Sequence, residues 1–468
     1  MGDDEKQRRI ADLEKEIAKR DRWIDQRDHR IGNLEREIER LRQENEKLQQ
    51  AAKRQASPFS RGEPKPNPKR RGRKSGKRYG RRASRSVPRT IDRVIEVPAP
   101  LFCPDCQKPA KLDHRETQWQ TDIPPIVPVT TEFRIDVARC TNCGRTVRNR
   151  HPEQISDATG AAGVQLGPRV IALSATLNKE CGVSYERIER LLGAVFALRV
   201  NRSSINRAVL RLARIMEPLS EKIGRRVRAG PMLSPDETGW RVGGNRAWLH
   251  VAATREDSYY MITRGRGTAE ATALIGIGYR GRIVRDGHPS YRVFSRAKSQ
   301  TCLAHLLRRI DGLLEICRGP RVRVWLQSTK ATLKRSIRIS QRRDDATIGP
   351  HGLMVAIGKV EAEVDRSLDN VPRGAEVQRF ARHLARERSA LFTFLYFDAT
   401  PATNYLAEQA LRPAVVNRKM SAGNNTQRGA KAQATLMTVL HSGRKRSADA
   451  VSLLVQALRD PASVDQLL

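Results

Sequence analysis

Residues 8–50 carry apolar side chains at a spacing of seven, which restricts the fold of this segment strongly. The two apolar positions of the repeat are occupied by Ile10, Ile17, Ile24, Ile31 and Ile38, and by Leu13, Leu34, Leu41 and Leu48. Isoleucine at a and leucine at d favour a parallel two-stranded coiled coil, and Asn45 continues the a series, where a buried amide fixes register. Arg20 and Arg27 interrupt the d series. We expect residues 1–52 to form a dimeric coiled coil; the alternative is a single surface helix.

The chain has 88 Lys and Arg against 51 Asp and Glu, a formal net charge of +37. Such a charge indicates a polyanionic partner, and nucleic acid is the obvious one. Residues 53–96 are basic with little apolar content, so we expect a disordered linker that either is only solvated or contacts the DNA backbone. No apolar run approaches the roughly 20 residues that span a bilayer. A cytoplasmic protein that associates with nucleic acid is expected.

Two cysteine pairs, Cys103 with Cys106 and Cys140 with Cys143, have the Cys-x-x-Cys spacing. Four thiolates on two short turns suit a tetrahedral structural Zn²⁺ ion, whereas four free buried thiols would leave the turns unexplained. The stretch between the pairs is rich in Val, Ile, Thr and Pro and predicts connecting strands. We therefore assign residues 97–152 to a zinc-binding domain.

Residues 160–229 have helical periodicity and resemble a helix-turn-helix arrangement. Ser203 is the predicted N-cap of a helix that presents Arg207, Arg211 and Arg214 outward. This predicts a DNA-binding segment, although short helix pairs are as often only packing units.

From Gly230 the pattern changes to three strands followed by alternating helix and strand, which predicts a mixed sheet with helices on its faces. Asp236 and Asp286 each stand at the predicted end of a strand, where two neighbouring strands would bring them together. Carboxylates are the hard oxygen ligands that Mg²⁺ prefers, and phosphodiester chemistry uses such metals. Glu237 competes with Asp236, but strand neighbours point to opposite faces. Taken singly, such an aspartate is more often a turn or cap residue.

Four motifs resemble the IS sixty-six family of bacterial insertion-sequence transposases. They are Asp236-Glu-Thr-Gly-Trp, Asp286-Gly-His-Pro-Ser-Tyr, Cys302-Leu-Ala-His305 and Ala407-Glu408-Gln-Ala-Leu-Arg-Pro. The order of a coiled coil, basic linker, zinc-binding domain, helical segment and catalytic domain is similar too. The second motif differs from the family's usual Asp-Gly-Tyr, and the third acid's motif differs from Glu-Arg-Ala-Leu-Arg-Pro.

The resemblance implies an RNase H-like catalytic domain of the DDE type over residues 230–445, with Asp236, Asp286 and Glu408 as metal ligands for Mg²⁺ or Mn²⁺. It implies water attack at transposon ends and then attack of the freed 3′ hydroxyl on target DNA, without a covalent enzyme intermediate. Accessory proteins of the same element are also implied. The residues that follow the third acid are expected to hold phosphate: Arg412, Arg418 and Lys419.

The 121 residues between Asp286 and Glu408 exceed what a compact fold needs, so a helical insertion is expected at about 311–398, followed by a helical tail over residues 446–468. Cys302 and His305 alone do not complete a metal coordination shell and are interpreted as structural. Two alternatives remain: a DNA-binding regulator with an inactive catalytic domain, and a structure-specific nuclease that cuts but does not join DNA.

Overall fold

The computed structural model describes residues 85–124 and 126–468, together with Gly2 and most positions between 13 and 41. The basic linker up to residue 84 and the heptad residues Ile10, Ile24, Asn45 and Leu48 lie outside the described residues. The chain divides into two compact units, Met1–Thr121 and Asp122–Leu468. Each unit is considered by itself.

In the first unit the described positions between 13 and 41 are helical and form α1. Six heptad side chains on α1 are largely exposed: Leu13, Ile17, Ile31, Leu34, Ile38 and Leu41. The helix predicted from the repeat is therefore confirmed at these positions. Its apolar stripe faces solvent in the single chain, as expected for a helix that is buried only by association.

The second unit begins with a hairpin in which β1 (Val137–Arg139) pairs antiparallel with β2 (Thr146–Arg148). The sequence predicted further strands between the two cysteine pairs. That prediction was wrong for the described residues from 111 to 136, which contain no strand. Pro124 and Pro128 lie in this stretch, and proline cannot donate a hydrogen bond to a sheet.

Four helices follow, as the periodicity predicted: α2 (Pro168–Lys179), α3 (Tyr185–Phe196), α4 (Arg202–Ile215) and α5 (Glu217–Ala229). The N-cap of α4 is Asn201, whose side chain accepts a hydrogen bond from the Ser204 backbone N–H at 2.9 Å. The prediction of Ser203 as N-cap was wrong. Asn201 is itself a strong capping residue. It stands two residues before Ser203 and satisfies a backbone N–H of the first turn.

The central sheet has five strands in the order β5-β4-β3-β6-β7. They are β3 (Met232–Val242), β4 (Asn245–Ala253), β5 (Ser258–Thr263), β6 (Arg282–Arg285) and β7 (Lys298–Thr301). β3, β4 and β5 pair antiparallel, whereas β6 pairs parallel with both β3 and β7. The mixed sheet predicted from the sequence is confirmed. Gly243 and Gly244 turn β3 into β4 with positive φ angles, which a two-residue hairpin requires.

Nine more helices complete the second unit's regular helical structure in the described residues. They are α6 (Thr268–Ile275), α7 (Leu303–Ile316), α8 (Pro320–Asp344), α9 (Pro350–Asp369), α10 (Ala375–Arg386), α11 (Thr393–Tyr396), α12 (Tyr405–Ser421), α13 (Gln427–Lys445) and α14 (Ala450–Arg459). Both faces of the sheet are covered. On one face Trp240, Leu249 and Tyr260 pack with α12 and α13, and on the other Leu233 and Ile283 join a core that includes α2 to α6.

Helices α8 to α11 occupy the range in which an insertion was predicted, and they share a separate apolar core with α7. In this core the rings of Trp325 and Phe380 meet edge to face, 6.1 Å apart. Polar contacts join this core to the sheet edge. The Gln300 side chain on β7 donates to the Leu391 carbonyl at 3.0 Å and accepts from the Phe394 N–H at 2.9 Å. The helices therefore lie against β7 rather than extending away from it.

Glu387, which follows α10, is 1% exposed at its side chain and forms an ion pair of 2.8 Å with Arg285 on β6. The Thr301 hydroxyl donates to the same carboxylate at 2.7 Å. Burial opposes ionisation of Glu387, yet the Arg285 charge and the Thr301 hydrogen bond keep its pKa below the ordinary value. This buried pair fixes the helical segment beside the end of β6.

Among the described residues, no helix is both long and apolar enough to span a membrane.

Tyr260 ties the sheet to both helices on one face. Its buried hydroxyl donates to the Ala410 carbonyl of α12 at 2.8 Å and lies 2.6 Å from His441 Nδ1 on α13. Replacing Tyr260 with Phe leaves two buried polar groups without this partner, so we expect the free energy of unfolding to fall by about 1–3 kcal/mol. Urea unfolding measures this, with Tyr405→Phe on an exposed tyrosine as the control. Equal stability of both variants would contradict the expectation.

Candidate active site

Asp236 and Asp286 lie at equivalent heights on neighbouring parallel strands. Met232 pairs with Arg282 and Leu233 with Ile283, so β3 and β6 run side by side from these residues. Asp236 comes four residues after Met232, and Asp286 comes four residues after Arg282. Parallel pairing aligns the same ends of two strands, which gathers the side chains that emerge there. The sequence prediction that neighbouring strands bring the two acids together therefore agrees with the register.

The predicted position of Asp236 at the end of its strand was wrong, because β3 continues to Val242. The strand extends past Asp236 through its antiparallel pairing with β4, in which Asp236 stands opposite Val251. The pairing of β3 with β6, however, involves only Met232 and Leu233. Asp236 thus lies in mid-strand, just beyond the point where the parallel ladder ends. Asp286 follows directly after β6, as predicted.

Glu237 is held by a different set of groups from Asp236. Its side chain is 2% exposed, accepts from Arg266 Nε at 2.6 Å and also accepts a short hydrogen bond from the Tyr291 hydroxyl. Strand alternation sends adjacent side chains to opposite faces. Burial, together with the negative charge of Glu237, raises the pKa of Tyr291 well above its ordinary value, which keeps the phenol protonated as a donor. Glu237 is therefore committed to a structural network next to the site.

Glu408 lies in the first turn of α12, where its backbone N–H bonds to the Asn404 carbonyl at 3.1 Å. Asn404 is fully buried, and its side chain donates to the Pro235 carbonyl at 2.9 Å. This contact holds the start of α12 against β3 next to Asp236. The Glu408 carboxylate is 43% exposed and pairs with Arg308 at 2.8 Å. The helix start therefore holds Glu408 near enough to Asp236 for its charge to act there.

The three carboxylates share one electrostatic environment. Burial raises the pKa of Asp236 to about 7; the Glu237 backbone N–H opposes this, while the charges of Glu237, Asp286 and Glu408 add to it. The Glu237 N–H donates to the Asp236 carboxylate at 2.8 Å. An acid with a pKa this high lacks sufficient positive charge nearby. A divalent cation would supply that charge, and the all-oxygen donor set fits Mg²⁺ or Mn²⁺.

A second donor group adjoins the first and was not recognised from the sequence. Ligand atoms of Cys302, His305 and Glu408 lie within 4.8 Å of one another. Among the described residues, this is the group of three or more side chains that could hold a metal ion. The Cys-x-x-His spacing was the available signal. It was interpreted as structural because the third member is 103 positions beyond His305, and only the tertiary fold brings it near.

The predicted phosphate-binding residues occupy three different settings. Arg412 and Lys419 are exposed on α12. Arg418 is half-buried and donates to the Thr238 hydroxyl at 3.1 Å and to the Gly239 carbonyl, which ties α12 to β3. On α4, Arg207 is exposed and Arg211 half-buried. Part of the Arg418 guanidinium is therefore used within the protein, while the other side chains are more available to solvent.

The two cysteine pairs form turns of the same design, one in each unit. In the first, the Cys103 N–H bonds to the Lys108 carbonyl at 2.8 Å, and the Gln107 N–H to the Cys103 carbonyl at 2.9 Å. The Cys140 turn repeats both bonds, with Gly144 at the positive-φ position held by Gln107 in the other. Backbone N–H groups within each turn, first those of Cys106 and Cys143, lower the pKa of Cys103 and Cys140 respectively. Such turns favour thiolates.

The fold and the site together define a mixed α/β protein with a carboxylate centre whose chemistry suits divalent cations. Residues 163–432, more than half of the chain, match the family described as Transposase IS66 family. The chain therefore belongs to the IS66 transposase family. It is also similar to the uncharacterized protein y4qI of Sinorhizobium fredii, with 22% identity over 288 residues, or 56% of this chain and 53% of that protein. The chain spans about half the length of this curated relative.

The environment of Asp236 predicts a pH-dependent stability change in Asp236→Asn. The folded-state pKa of about 7 exceeds the ordinary value of 3.8, so ionisation of Asp236 destabilises the fold. This penalty is absent below pH 3.8, grows as pH rises and is complete above pH 7. Without added divalent metal, Asp236→Asn should therefore raise the free energy of unfolding at pH 8 by about 1–3 kcal/mol, and by less at pH 5.

Urea unfolding at both pH values measures this difference. The matched control is Asp398→Asn, since the Asp398 side chain is 93% exposed. A gain from Asp236→Asn that is the same at pH 5 and pH 8 would refute the assigned electrostatic environment.

Proposed function

We propose that this transposase cleaves DNA at transposon ends and joins the freed strands to target DNA, with divalent metal held by Asp236, Asp286 and Glu408. The observation that carries the proposal is the convergence of these acids from β3, β6 and α12. The charges of Asp286 and Glu408 act on Asp236 strongly enough to contribute to its raised pKa. Three carboxylates with too little compensating charge form a site that a hard cation would stabilise.

When bound, Mg²⁺ or Mn²⁺ supplies Lewis-acid activation of the attacking hydroxyl and charge stabilisation at the leaving oxygen. The protein's own contribution is positioning. Parallel pairing sets Asp236 level with Asp286, and the Asn404 contact to Pro235 fixes the first turn of α12, which carries Glu408. No nucleophilic side chain is needed, so the proposed strand transfer proceeds without a covalent enzyme intermediate.

The strand order supports the proposal of an RNase H-like catalytic domain. Three antiparallel strands lie on one side of the sheet, and two strands that continue parallel to β3 lie on the other. Of the proposed acids, Asp236 stands on the central strand β3 and Asp286 follows its parallel neighbour β6. Glu408 lies on α12, which packs across one face of the sheet. Helices α8 to α11 form the proposed insertion between the second and third acids.

DNA contact is proposed for basic residues on two helices of the second unit. Arg412 and Lys419 follow Glu408 on α12, and Arg207 with Arg211 lies on α4 of the helix-turn-helix-like segment. Guanidinium and ammonium groups hold phosphates by charge-assisted hydrogen bonds. Arg418 is proposed to contribute with the N–H groups that β3 does not use. The net charge of +37 supports a polyanionic partner.

Structural zinc at Cys103, Cys106, Cys140 and Cys143 stays a prediction. The support comes from each turn by itself, because its backbone hydrogen bonds favour the thiolate form that zinc requires. The involvement of accessory proteins of the same element also stays a prediction.

Catalysis should depend on all three acids. We expect Asp236→Asn, Asp286→Asn and Glu408→Gln each to lower Mg²⁺-dependent strand cleavage at least about 10³-fold while end binding changes little, because metal binding is lost but the DNA surface remains. Labelled DNA carrying the sequences that flank the coding region is the substrate, and cleavage, joining and gel-shift binding are scored separately. Asp398→Asn is the control.

The outcomes distinguish three functions. Cleavage with joining supports the transposase mechanism. Cleavage without joining would favour a structure-specific nuclease, and end binding without cleavage in the unmodified chain would favour a regulator. Full activity in any of the three acid variants would overturn its assignment as a metal ligand.

We further propose that α1 joins two copies of the chain. Leu34 is 55% exposed and Leu41 51% exposed on the heptad stripe, and Lys at both positions would place charges in a coiled-coil seam. Leu34→Lys with Leu41→Lys should convert a dimer into a monomer. Light scattering measures the mass, and Glu35→Lys with Arg36→Glu serves as a control outside the a and d positions. A double leucine variant that stays dimeric would exclude this interface.

A further inference from the structure

Cys302, His305 and Glu408 form a compact donor group beside the proposed catalytic centre. Their ligand atoms, one per residue, all lie within 4.8 Å of one another. Cys302 is buried, His305 is half-buried and Glu408 is exposed. The group therefore runs from a covered thiol to a solvent-facing carboxylate, which gives an ion a route from solvent.

Two helix starts hold these donors in place. Cys302 is the N-cap residue of α7, and its backbone N–H bonds to the Arg285 carbonyl at 2.7 Å, directly before Asp286. The Asn404 N–H donates to the Cys302 sulfur at 3.2 Å, just before α12 begins. The thiol is thus fixed between β6 and α12 by backbone contacts.

The donor types select a different ion from the one proposed for the neighbouring carboxylates. Asp236 and Asp286 offer only hard oxygen atoms, which suit Mg²⁺ and Mn²⁺. Cys302 and His305 offer sulfur and nitrogen, which Zn²⁺ and chemically similar ions prefer. Glu408 belongs to both groups. Three protein ligands with one open position are sufficient for tetrahedral zinc when water completes the shell.

We propose that Cys302, His305 and Glu408 bind a thiophilic divalent cation of the Zn²⁺ class, and that this ion inhibits the enzyme by withdrawing Glu408 from the catalytic metal centre. Binding itself stands on the geometry of the three donors. Inhibition rests in addition on the proposed function, because it assumes that Glu408 serves the catalytic metal.

The Arg308 side chain lies at the exposed end of this group. Its guanidinium lies 2.8 Å from a Glu408 carboxylate oxygen and 3.4 Å from His305 Nε2. The Arg308 side chain is 62% exposed, so its displacement by an ion costs little. Within the described structure, the buried Nδ1 atom of His305 has no hydrogen-bond partner.

Cd²⁺ titration of the full chain tests the binding step, after loading with one equivalent of Zn²⁺, which a four-thiolate site takes in preference to a three-ligand one. Thiolate coordination to Cd²⁺ produces an ultraviolet charge-transfer band, and this single equivalent of Zn²⁺ reduces the contribution of the Cys-x-x-Cys turns while the proposed site stays open. We expect Cys302→Ser to remove one equivalent of this band, and His305→Gln to weaken Cd²⁺ binding at least about 10-fold through loss of one of three ligands. Cys317→Ser, on the C-cap of the same helix, is the matched thiol control.

Arg308→Ala should tighten Cd²⁺ binding several-fold, since it removes the cation that competes for Glu408. Unfolding curves first establish that Cys302→Ser and His305→Gln are folded. If both folded variants titrate as the unmodified chain does, the proposed site is wrong. A band lost equally in Cys317→Ser would also overturn it.

Inhibition is measured separately on Mg²⁺-dependent DNA cleavage. Zn²⁺ added beyond the first equivalent should inhibit cleavage, and Cys302→Ser should raise the half-inhibitory concentration at least about 10-fold. Unchanged inhibition in Cys302→Ser would refute the inhibitory role. If the unmodified chain lacks cleavage activity, the function proposed above fails, while the Cd²⁺ titration still decides whether this site binds metal.

Discussion

Burial of a carboxylate among other acidic groups is the constraint that the second unit has to support. Burial raises the pKa of Asp236 to about 7, and the charges of Glu237, Asp286 and Glu408 add to this rise. Like charges do not gather without other interactions to hold them. Those interactions are the apolar cores on the two faces of the sheet and the buried polar contacts of Asn404 and Tyr260. The partly buried carboxylate of Asp236 therefore destabilises the fold locally, and these surrounding contacts offset that destabilisation.

The helices α8 to α11 contribute to this support through one buried ion pair. Glu387 meets Arg285, and Arg285 immediately precedes Asp286. Breaking a buried pair by removing one partner leaves an uncompensated charge, so such a pair specifies one arrangement of its two elements. The helical segment is therefore fixed to the end of β6. Glu408, which follows this segment in the chain, can then return to the same end of the sheet.

Glu408 connects two donor groups of different chemistry. The charge of Glu408 acts on Asp236, whereas Cys302 and His305 offer ligand atoms within 4.8 Å of its carboxylate. Selectivity between hard and soft cations depends on ligand type more than on distance. A carboxylate placed between such groups can serve either, and its pairing with Arg308 shows that it accepts a cationic partner. Metal choice in this protein would then depend on which neighbours share Glu408.

The sequence by itself determined the helical structure at the described heptad positions, the two cysteine turns, the helical segment before the sheet, the first three strands of the sheet and the approximate position of Asp286, because these follow from local periodicity and turn chemistry. It misplaced the α4 cap at Ser203 and ended β3 at Asp236, since capping competition and pairing with β4 depend on neighbours in space. The tertiary structure alone placed Glu408 with Cys302 and His305. Their proximity depends on how about 100 intervening residues pack against β7 and Arg285, which no local pattern encodes.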